Sequence, residues 1–257
     1  MTYPSLHNVF KERIRNEQVL FGLWAGLGSS YAIEVVAGSG YDWILIDSEH
    51  SPADLENVLG QLQAVAAYPT SPVVRVPWND AVAIKRFLDI GAQSLLVPYV
   101  QTADEARAAV ASTRYAPGGV RGLALNTRAS RFGRLSGYAE LADHEMCVMV
   151  QIETPLALDN IEEIAAVDGI DGLFIGPSDL HAGMGHPGVT TDPEVVALID
   201  DAIGRIALTG KAPGVFAPIE EYARRWLDLG ARVVAVGADI GILSRGSDSL
   251  LASFRGA

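Results

Sequence analysis

Short apolar runs alternate along the chain with longer segments in which apolar side chains recur every three or four residues. The first pattern is typical of buried parallel strands, and the second of amphipathic helices. Eight runs are predicted strands: Val19–Trp24, Trp43–Ile46, Val73–Val76, Ser94–Val97, Cys147–Ile152, Leu173–Ile175, Ala212–Phe216 and Val233–Val236. A predicted helix follows each run, near Tyr31–Ala37, Ala53–Ala66, Ala81–Asp89, Ala103–Arg114, Leu156–Val167, Pro193–Leu208, Ile219–Leu229 and Ile240–Phe254.

Eight strand–helix units in a chain of 257 residues predict an α/β fold of the (β/α)8 type, the TIM barrel. A doubly wound sheet is the alternative, but eight evenly spaced units favour a closed barrel. We expect a single domain over residues 1–257, with an N-terminal helix ending near Gln18. The connection from Tyr115 to Glu145 is about thirty residues long, which predicts a lid or a subunit contact, because idle loops of that length are rare.

Composition narrows the classes of function. The net charge of −12 argues against nucleic acid and anionic membranes as partners. No apolar run approaches the roughly 20 residues of a membrane helix, and the N-terminus lacks the apolar core of a signal peptide, so we expect a cytoplasmic protein. The single cysteine, Cys147, begins a predicted strand and is expected to be an ordinary buried side chain, without a disulfide or a thiolate zinc site.

Basic residues nevertheless gather in one segment of this acidic chain. The cluster consists of Arg114, Arg121, Arg128, Arg131 and Arg134. Because a few local arginines are enough to bind a small anion, the overall charge does not exclude an anionic substrate. The cluster is equally compatible with a loop that faces an anion and with ion pairs at an interface.

Two carboxylates follow neighbouring strands of the predicted barrel. Glu153 comes after the fifth strand, and Asp179 follows a Gly-Pro break after the sixth. The C-terminal ends of parallel strands meet at one face of a sheet, so these side chains should lie close together, where barrels of this type keep their chemistry. Hard oxygen ligands predict a divalent cation site. The alternative is a pair of carboxylates that cap helices.

The second and third strands contribute an acid–base candidate and a buried cation. The second strand ends in Asp47-Ser48-Glu49-His50, and the third carries Arg75. Asp47 is close enough in sequence to orient the His50 imidazole for general acid–base catalysis, although a histidine satisfied within a turn has the same pattern. Arg75 lies on an apolar strand and should face anionic oxygens, of a substrate or of a structural ion pair.

The remaining strand ends restrict the chemistry further. The turn after the sixth strand leaves the backbone amides of Ser178 and Asp179 free for a carboxylate or phosphate. The chain has three lysines, Lys11, Lys85 and Lys211. None follows a predicted strand, so a Schiff base is not expected. Dinucleotide fingerprints and Ser-His-Asp arrangements are not evident. What remains is polarisation of a carbonyl group by a metal ion, with proton transfer beside it.

Several motifs together resemble the HpcH/HpaI aldolase family, class II pyruvate aldolases on the phosphoenolpyruvate/pyruvate type of barrel. They are GLWAGLGSSYAIEVVAGSGYDWILIDSEHSP, VVRVPWND, KRFLDIGAQSLLVPYV, YAPGGVRG, VQIETPLALDNI and GPSDLHAGMG, in this order and over nearly the whole chain. The resemblance implies a divalent ion, Mg²⁺, Mn²⁺ or Co²⁺, held by Glu153 and Asp179. It also implies that His50, paired with Asp47, is the acid–base and that Arg75 holds the 2-oxo oxygen and the developing enolate.

The same resemblance implies further substrate contacts. Gln151 would hydrogen-bond near the substrate, and the amides of Ser178 and Asp179 would bind the pyruvate carboxylate. His181 and His186, after Asp179, are expected at the surface or the rim of the site.

Subunit contacts are implied as well. Asp89 matches a family position that reaches the active site of a neighbouring subunit, whereas its sequence context alone indicates a solvated carboxylate at a helix end. The family usually forms hexamers, trimers of dimers that exchange the last helix, so Ile240–Phe254 is expected to pack on a partner.

The predicted activity is the reversible cleavage of a 4-hydroxy-2-oxo acid to pyruvate and an aldehyde, as in 4-hydroxy-2-oxoheptanedioate aldolases. A base, expected to be His50 directly or through a metal-bound water, removes the proton of the C4 hydroxyl, and the C3–C4 bond breaks. One alternative is an acyl-CoA ester lyase of the citramalyl or malyl type, which the net charge of −12 disfavours. The other is a non-catalytic 2-oxo acid binding module, which leaves the Asp47–His50 pair without a purpose.

Overall fold

The structure, a computed structural model that describes residues 6–255, is a closed barrel of eight parallel strands. The strands follow one another around the barrel in chain order, and the eighth pairs with the first. They are Leu20–Ala25 (β1), Trp43–Asp47 (β2), Ser71–Arg75 (β3), Ser94–Val97 (β4), Cys147–Ile152 (β5), Gly172–Ile175 (β6), Ala212–Phe216 (β7) and Val233–Ala238 (β8). The predicted (β/α)8 barrel is confirmed.

Helices surround this barrel. Within the described residues they are Val9–Arg15 (α1), Ser30–Ala37 (α2), Leu55–Val65 (α3), Ala81–Asp89 (α4), Ala103–Thr113 (α5), Tyr138–Glu145 (α6), Pro155–Asp159 (α7), Ile161–Ala165 (α8), Pro177–Gly183 (α9), Pro193–Leu208 (α10), Glu220–Asp228 (α11) and Asp239–Arg255 (α12). None of the helices found in residues 6–255 has the length and apolar character needed to cross a membrane.

Two elements differ from the prediction. The helix expected at Leu156–Val167 is divided into α7 and α8 at Asn160, whose side-chain amide donates a hydrogen bond to the carbonyl of Gln101 at 2.8 Å. The long segment 115–145, predicted to be a connecting loop, contains helix α6. The N-cap residue of this helix, Gly137, is in a left-handed conformation and provides no side-chain cap, so the usual start signal is missing.

Apolar side chains form two layers, one inside the barrel and one between the strands and the helices. Trp43 and Leu45 of β2 point inward, and Ile44 and Ile46 point toward the helices, as the alternation of a strand requires. Phe10 of α1 packs on Trp43 with ring centroids 6.0 Å apart and belongs to the inner layer. This inner layer therefore fills the barrel with apolar groups toward its N-terminal end, beside the buried pair of Lys11 and Asp171, whose charged atoms lie 3.6 Å apart.

The packing of β1 on β2 gives a stability prediction. A Cβ atom added to Gly22 would overlap the indole of Trp43, which is fully buried. Gly22→Ala is expected to destabilise the protein by about 1–3 kcal/mol, because the ring has no free space into which it can move. Gly204→Ala in α10 is the control, since a Cβ there meets no atom within 4 Å, and Ala favours a helix interior. Urea unfolding measures both, and equal destabilisation would contradict this packing.

Candidate active site

Polar side chains at the C-terminal end of the barrel surround a cavity of about 180 Å³. The lining combines charged groups and aromatic rings: Trp24, His50, Arg75, Gln151, Phe174, Gly176, Pro177, Ser178, Asp179 and Phe216. These residues lie on strands or directly after them, at the end where (β/α)8 enzymes keep their active sites. The volume is below the roughly 300 Å³ at which pockets for drug-sized molecules begin. The cavity therefore suits a small metabolite.

Asp47 and Arg75 form a buried ion pair in this site. The register of β2 and β3 places the two residues opposite one another. Nε of Arg75 lies 2.8 Å from Oδ1 of Asp47, and Nη2 lies 2.7 Å from Oδ2, so the guanidinium donates to both oxygens. The guanidinium also stacks on the Trp24 ring at 4.7 Å. Burial acts to raise the pKa of Asp47, but the hydrogen bonds and charge of Arg75 outweigh it, and the pKa lies below its usual value.

The expected pairing of Asp47 with the His50 imidazole is wrong. The Asp47 carboxylate accepts hydrogen bonds from Arg75. Its Oδ1 lies 3.5 Å from the backbone nitrogen of His50 rather than near the imidazole ring. The His50 side chain is 67% exposed, with Nε2 3.9 Å from Oε1 of Glu49. The pairing failed as a prediction because closeness in sequence does not show which side chain the neighbouring strand places opposite Asp47.

Glu49, for which the sequence predicts no role, also belongs to the site. Its Oε2 lies 2.8 Å from Nη1 of Arg75, so one guanidinium contacts the carboxylates of both Asp47 and Glu49. Burial raises the pKa of Glu49, and the charges of Arg75 and His50 oppose this rise. The signal in the sequence was its position two residues after Asp47, since residues i and i+2 at a strand end face the same way.

Glu153, directly after β5, is as deeply buried as Asp47, with 3% exposure. Its Oε1 accepts a hydrogen bond from the backbone N–H of Tyr99 at 2.7 Å, and its Oε2 accepts one from the Gln151 side-chain amide. Burial raises the pKa of Glu153 to about 7. The Tyr99 N–H opposes this rise, and the negative charges of Asp179 and Glu49 add to it.

Asp179 approaches Glu153 because α9 begins directly against it. The N-cap residue of this helix is Gly176, where an added Cβ would lie 2.8 Å from Oε2 of Glu153 and 2.9 Å from Nε2 of Gln151. A glycine is therefore needed for this close approach. Since β5 and β6 pair up to Ile152 and Ile175, the two strand ends are neighbours. The two carboxylates that the sequence placed at adjacent strand ends are thus on the same side of the barrel and influence one another electrostatically.

The oxygen atoms around Glu153 fit a hard divalent cation. Glu153 and Asp179 supply carboxylates, and the buried Oε1 of Gln151 has no hydrogen-bond partner. Residues 6–255 contain no group of three or more His, Cys, Asp and Glu arranged to hold a metal ion. A site with two carboxylates is nevertheless usual for Mg²⁺, which keeps several water or substrate ligands. A cation would also offset the negative charge that raises the pKa of Glu153.

Two residues considered from the sequence lie outside this cavity. Asp89, at the end of α4, pairs with Arg121 at 3.3 Å. His181 is fully buried in α9, with Nδ1 2.6 Å from the carbonyl oxygen of Pro177, so its expected place at the rim is wrong. The reason is that the segment after Asp179 is a helix, and this helix buries His181 together with Leu180.

The arginine segment is also separate from the cavity within one chain. Arg114 pairs with Asp168, and Arg121 pairs with Asp89. The other three arginines, Arg128, Arg131 and Arg134, line a second cavity of about 520 Å³. This cavity is larger, but it includes Pro72 near the start of β3 and Gln93 just before β4. It therefore lies toward the N-terminal ends of the strands, and the smaller cavity is the candidate active site.

Comparisons with known proteins link this geometry to a family. A family model described as HpcH/HpaI aldolase/citrate lyase matches residues 20–245. The chain is 56% identical over 247 residues to a Rhizobium etli protein named pyruvate aldolase, covering 96% of this chain and 97% of that protein. It is 53% identical over 250 residues to a Klebsiella pneumoniae protein named 4-hydroxy-2-oxo-heptane-1,7-dioate aldolase, covering 97% and 94%. A crystal structure of an HpcH/HpaI aldolase/citrate lyase family protein from Burkholderia cenocepacia matches with a TM-score of 0.93 and 40% identity, covering 96% and 99%.

The raised pKa of Glu153 predicts a pH-dependent stability in protein treated with a chelator. Its pKa rises from 4.5 to about 7 on folding, so the folded state binds more protons in this window and loses stability as the pH rises through it. Glu153→Gln should therefore be more stable than the parent by up to about 3 kcal/mol at pH 8, and by less than about 1 kcal/mol at pH 5. Urea unfolding at both pH values measures the difference. Glu140→Gln, at an exposed position, is the control, and an equal gain at both pH values would contradict the raised pKa.

Proposed function

The chain belongs to the HpcH/HpaI aldolase/citrate lyase family, and we propose on this basis that it is a divalent-metal-dependent class II aldolase. The proposed reaction is the reversible cleavage of a 4-hydroxy-2-oxo acid to pyruvate, or a pyruvate analogue, and an aldehyde. The observation that carries the proposal is the meeting of Arg75 with Glu153 and Asp179 at the C-terminal end of the barrel. More than half of the residues are shared with two relatives that are named as aldolases of this kind.

Glu153 and Asp179 are the residues that would hold the cation, which we propose to be Mg²⁺, Mn²⁺ or Co²⁺. When bound, the cation would polarise the 2-oxo group and balance negative charge in the site. The contacts of Gln151 support this arrangement. Its amide N–H donates to Glu153, and its unpartnered oxygen lies beside the cavity. We propose that Gln151 also contacts the substrate.

The carboxylate of the 2-oxo acid is proposed to bind at the start of α9. The backbone N–H groups of Ser178 and Asp179 belong to the first turn of this helix, and both residues line the cavity. N–H groups in a first turn have no partner within the helix and attract anions. The Ser178 hydroxyl adds one further donor, so the small cavity holds the acid end of the substrate in a defined orientation.

Arg75 is proposed to stabilise the negative charge that develops on the 2-oxo oxygen as the C3–C4 bond breaks. Two hydrogen bonds to Asp47 and the stacking on Trp24 already orient the guanidinium. A donor that is oriented in advance needs no reorganisation during the reaction, and the loss of one such donor typically slows catalysis on the order of 100-fold or more. Asp47 thus acts by positioning Arg75, rather than by orienting His50.

His50 is proposed to move the proton. In cleavage it accepts the proton of the C4 hydroxyl, directly or through a water molecule, as this hydroxyl becomes the aldehyde carbonyl. C3 of the enolate then takes up a proton from water, which completes the formation of pyruvate. The exposed imidazole lines the cavity and forms no hydrogen bond with Asp47. It is therefore accessible to the half of the substrate that leaves as the aldehyde.

We further propose that the protein is a homo-oligomer, a hexamer built as a trimer of dimers. Support comes from α12, a helix of 17 residues in which Asp239 is the only buried residue. Large apolar side chains are exposed along it: Ile240, Ile242, Leu243, Leu250, Leu251 and Phe254. Contiguous exposed apolar surface marks an interaction site. In such an assembly we propose that Asp89 reaches the active site of a neighbouring subunit.

Exchange of the pyruvate methyl protons tests the proposed reaction. In deuterated water with Mg²⁺ or Mn²⁺, the NMR signal of the methyl group should decay, because the enolate takes up deuterium at C3. A chelator should stop the decay. Exchange that continues in the chelator, or no exchange with and without an aldehyde, would exclude the proposed chemistry.

Substitutions in the site test the individual roles in a cleavage assay. Arg75→Ala should lower kcat by about 100-fold or more, because the developing negative charge loses its donor. His50→Ala should lower it by a similar factor, because proton transfer loses its base. Circular dichroism confirms folding, and Arg107→Ala, a change in an exposed ion pair on α5, is the control. Near-full activity of His50→Ala would show that another group accepts the proton.

Charges introduced on α12 test the proposed oligomer. The double variant Leu243→Glu/Leu250→Glu should shift the mass measured by light scattering toward the monomer, because charges cannot be buried without partners. Leu208→Glu, at a residue with 90% exposure at the end of α10, is the control and should leave the mass unchanged. An unchanged mass of the α12 variant would mean that this helix is not part of the interface.

A further inference from the structure

We propose that Tyr99 is a positioning residue for the Glu153 carboxylate and that it acts through its backbone. In this inference, stacking of the Tyr99 ring on Trp78 holds the backbone of Tyr99 in the conformation that delivers its N–H group to Glu153. The inference rests on the proposed role of Glu153 as a metal ligand. It adds a function for the two segments that follow β3 and β4.

The backbone of Tyr99 is in a left-handed conformation, with φ of +57°. Bulky residues rarely adopt this conformation, and residues that do so in folded proteins cluster at functional sites. Tyr99 follows β4 closely and therefore lies at the C-terminal end of the barrel. Its N–H donates to Oε1 of Glu153 at 2.7 Å. The strained residue and the buried carboxylate are thus in direct contact.

Both sides of Tyr99 are anchored, so its φ angle and the direction of its N–H are coupled. On one side, Val97 is fixed in β4 by pairing with Val150. On the other side, the Gln101 side chain accepts a hydrogen bond from Thr154 at 3.0 Å, and the Gln101 carbonyl accepts one from Asn160 at 2.8 Å. Between two fixed points, a change of φ at Tyr99 has to move the peptide group that carries the N–H.

The ring of Tyr99 supplies a reason why the left-handed conformation persists. It stacks on Trp78, which follows β3, with centroids 5.5 Å apart and an angle of 28° between the rings. The two residues are 42% and 52% exposed, so they are not part of the buried core. Aromatic stacking of this type is favourable and directional. The stack therefore connects two strand ends at the rim of the site and opposes relaxation of the Tyr99 backbone.

The consequence is a carboxylate that is held at both oxygens. Tyr99 N–H bonds to Oε1 of Glu153, and the Gln151 amide bonds to Oε2. Each oxygen keeps a lone pair for a cation, and the direction of both lone pairs is fixed. Partners that orient a metal ligand in this way are typically worth 10–100-fold in metal affinity.

A pair of substitutions separates the backbone of Tyr99 from its ring. Tyr99→Asn and Tyr99→Val both remove the phenol ring, but Asn tolerates the left-handed conformation and Val does not. Free Mn²⁺ is counted by electron paramagnetic resonance during titration, without any substrate. Tyr99→Val is expected to weaken Mn²⁺ binding by about 10-fold or more, and Tyr99→Asn to keep most of the affinity. Thermal unfolding monitors the folding of each variant.

Trp78→Ala is the second test, because it leaves the Tyr99 backbone chemically unchanged. It should weaken Mn²⁺ binding in the parent protein, where the stack holds Tyr99, and should have no effect in the Tyr99→Asn background, where no stack exists. This dependence on background is not expected of a general loss of stability. It also keeps the inference testable if Tyr99→Val does not fold.

Other outcomes would overturn the inference. Equal Mn²⁺ affinity of Tyr99→Asn and Tyr99→Val would mean that the backbone conformation is irrelevant. Unchanged affinity in both, with a loss of kcat/KM for the aldehyde, would mean that the aromatic stack contacts substrate instead. Glu153→Gln separates this inference from the proposed function. If Glu153→Gln binds Mn²⁺ as tightly as the parent, the proposed metal site itself is wrong; if it does not, only the role of Tyr99 is in question.

Discussion

The buried ion pair between Asp47 and Arg75 is the interaction on which the site depends. A guanidinium in an apolar barrel is costly unless its donors are satisfied, and removing either partner leaves an uncompensated buried charge. The pair satisfies this condition across β2 and β3 with two hydrogen bonds, and Trp24 and Glu49 complete the surroundings of Arg75. The Arg75 guanidinium therefore has a fixed position at the cavity wall, and the imidazole of His50 is not paired with Asp47.

The balance of charge around Arg75 explains the properties of the carboxylates on the other side of the site. Three acids, Glu49, Glu153 and Asp179, influence one another electrostatically, and the charge of Arg75 opposes the rise of pKa in Glu49 and Glu153. The raised pKa of Glu153 is the direct result of burial within this negative surrounding. Such surroundings oppose the ionisation of Glu153 unless a positive charge is bound nearby. The same feature that weakens the isolated fold would therefore favour a divalent cation at the proposed site.

The apolar packing of the barrel is separate from the strained and charged groups of the site. Apolar packing of Phe10, Trp43 and the inner layer fills the N-terminal end, and the alternating outer layer joins strands to helices. The buried charges of Asp47, Arg75 and Glu153 and the left-handed Tyr99 are found at the C-terminal end, where the segments after the strands are irregular. Strain and buried charge persist there because the closed ring of strands holds the surrounding backbone in place.

The sequence by itself determined the eight strands, their order and the residues at their C-terminal ends, because apolar periodicity and chain direction are local properties. It therefore located Glu153, Asp179 and Arg75 at one face. Tertiary structure alone decided which side chains meet: register placed Asp47 on Arg75 instead of His50, brought Glu49 into the site and set the Tyr99 amide against Glu153. Helix α9 buried His181, and a helix without a capping signal formed inside the segment 115–145. These outcomes depend on contacts between residues distant in the chain, and spacing along the sequence does not encode them.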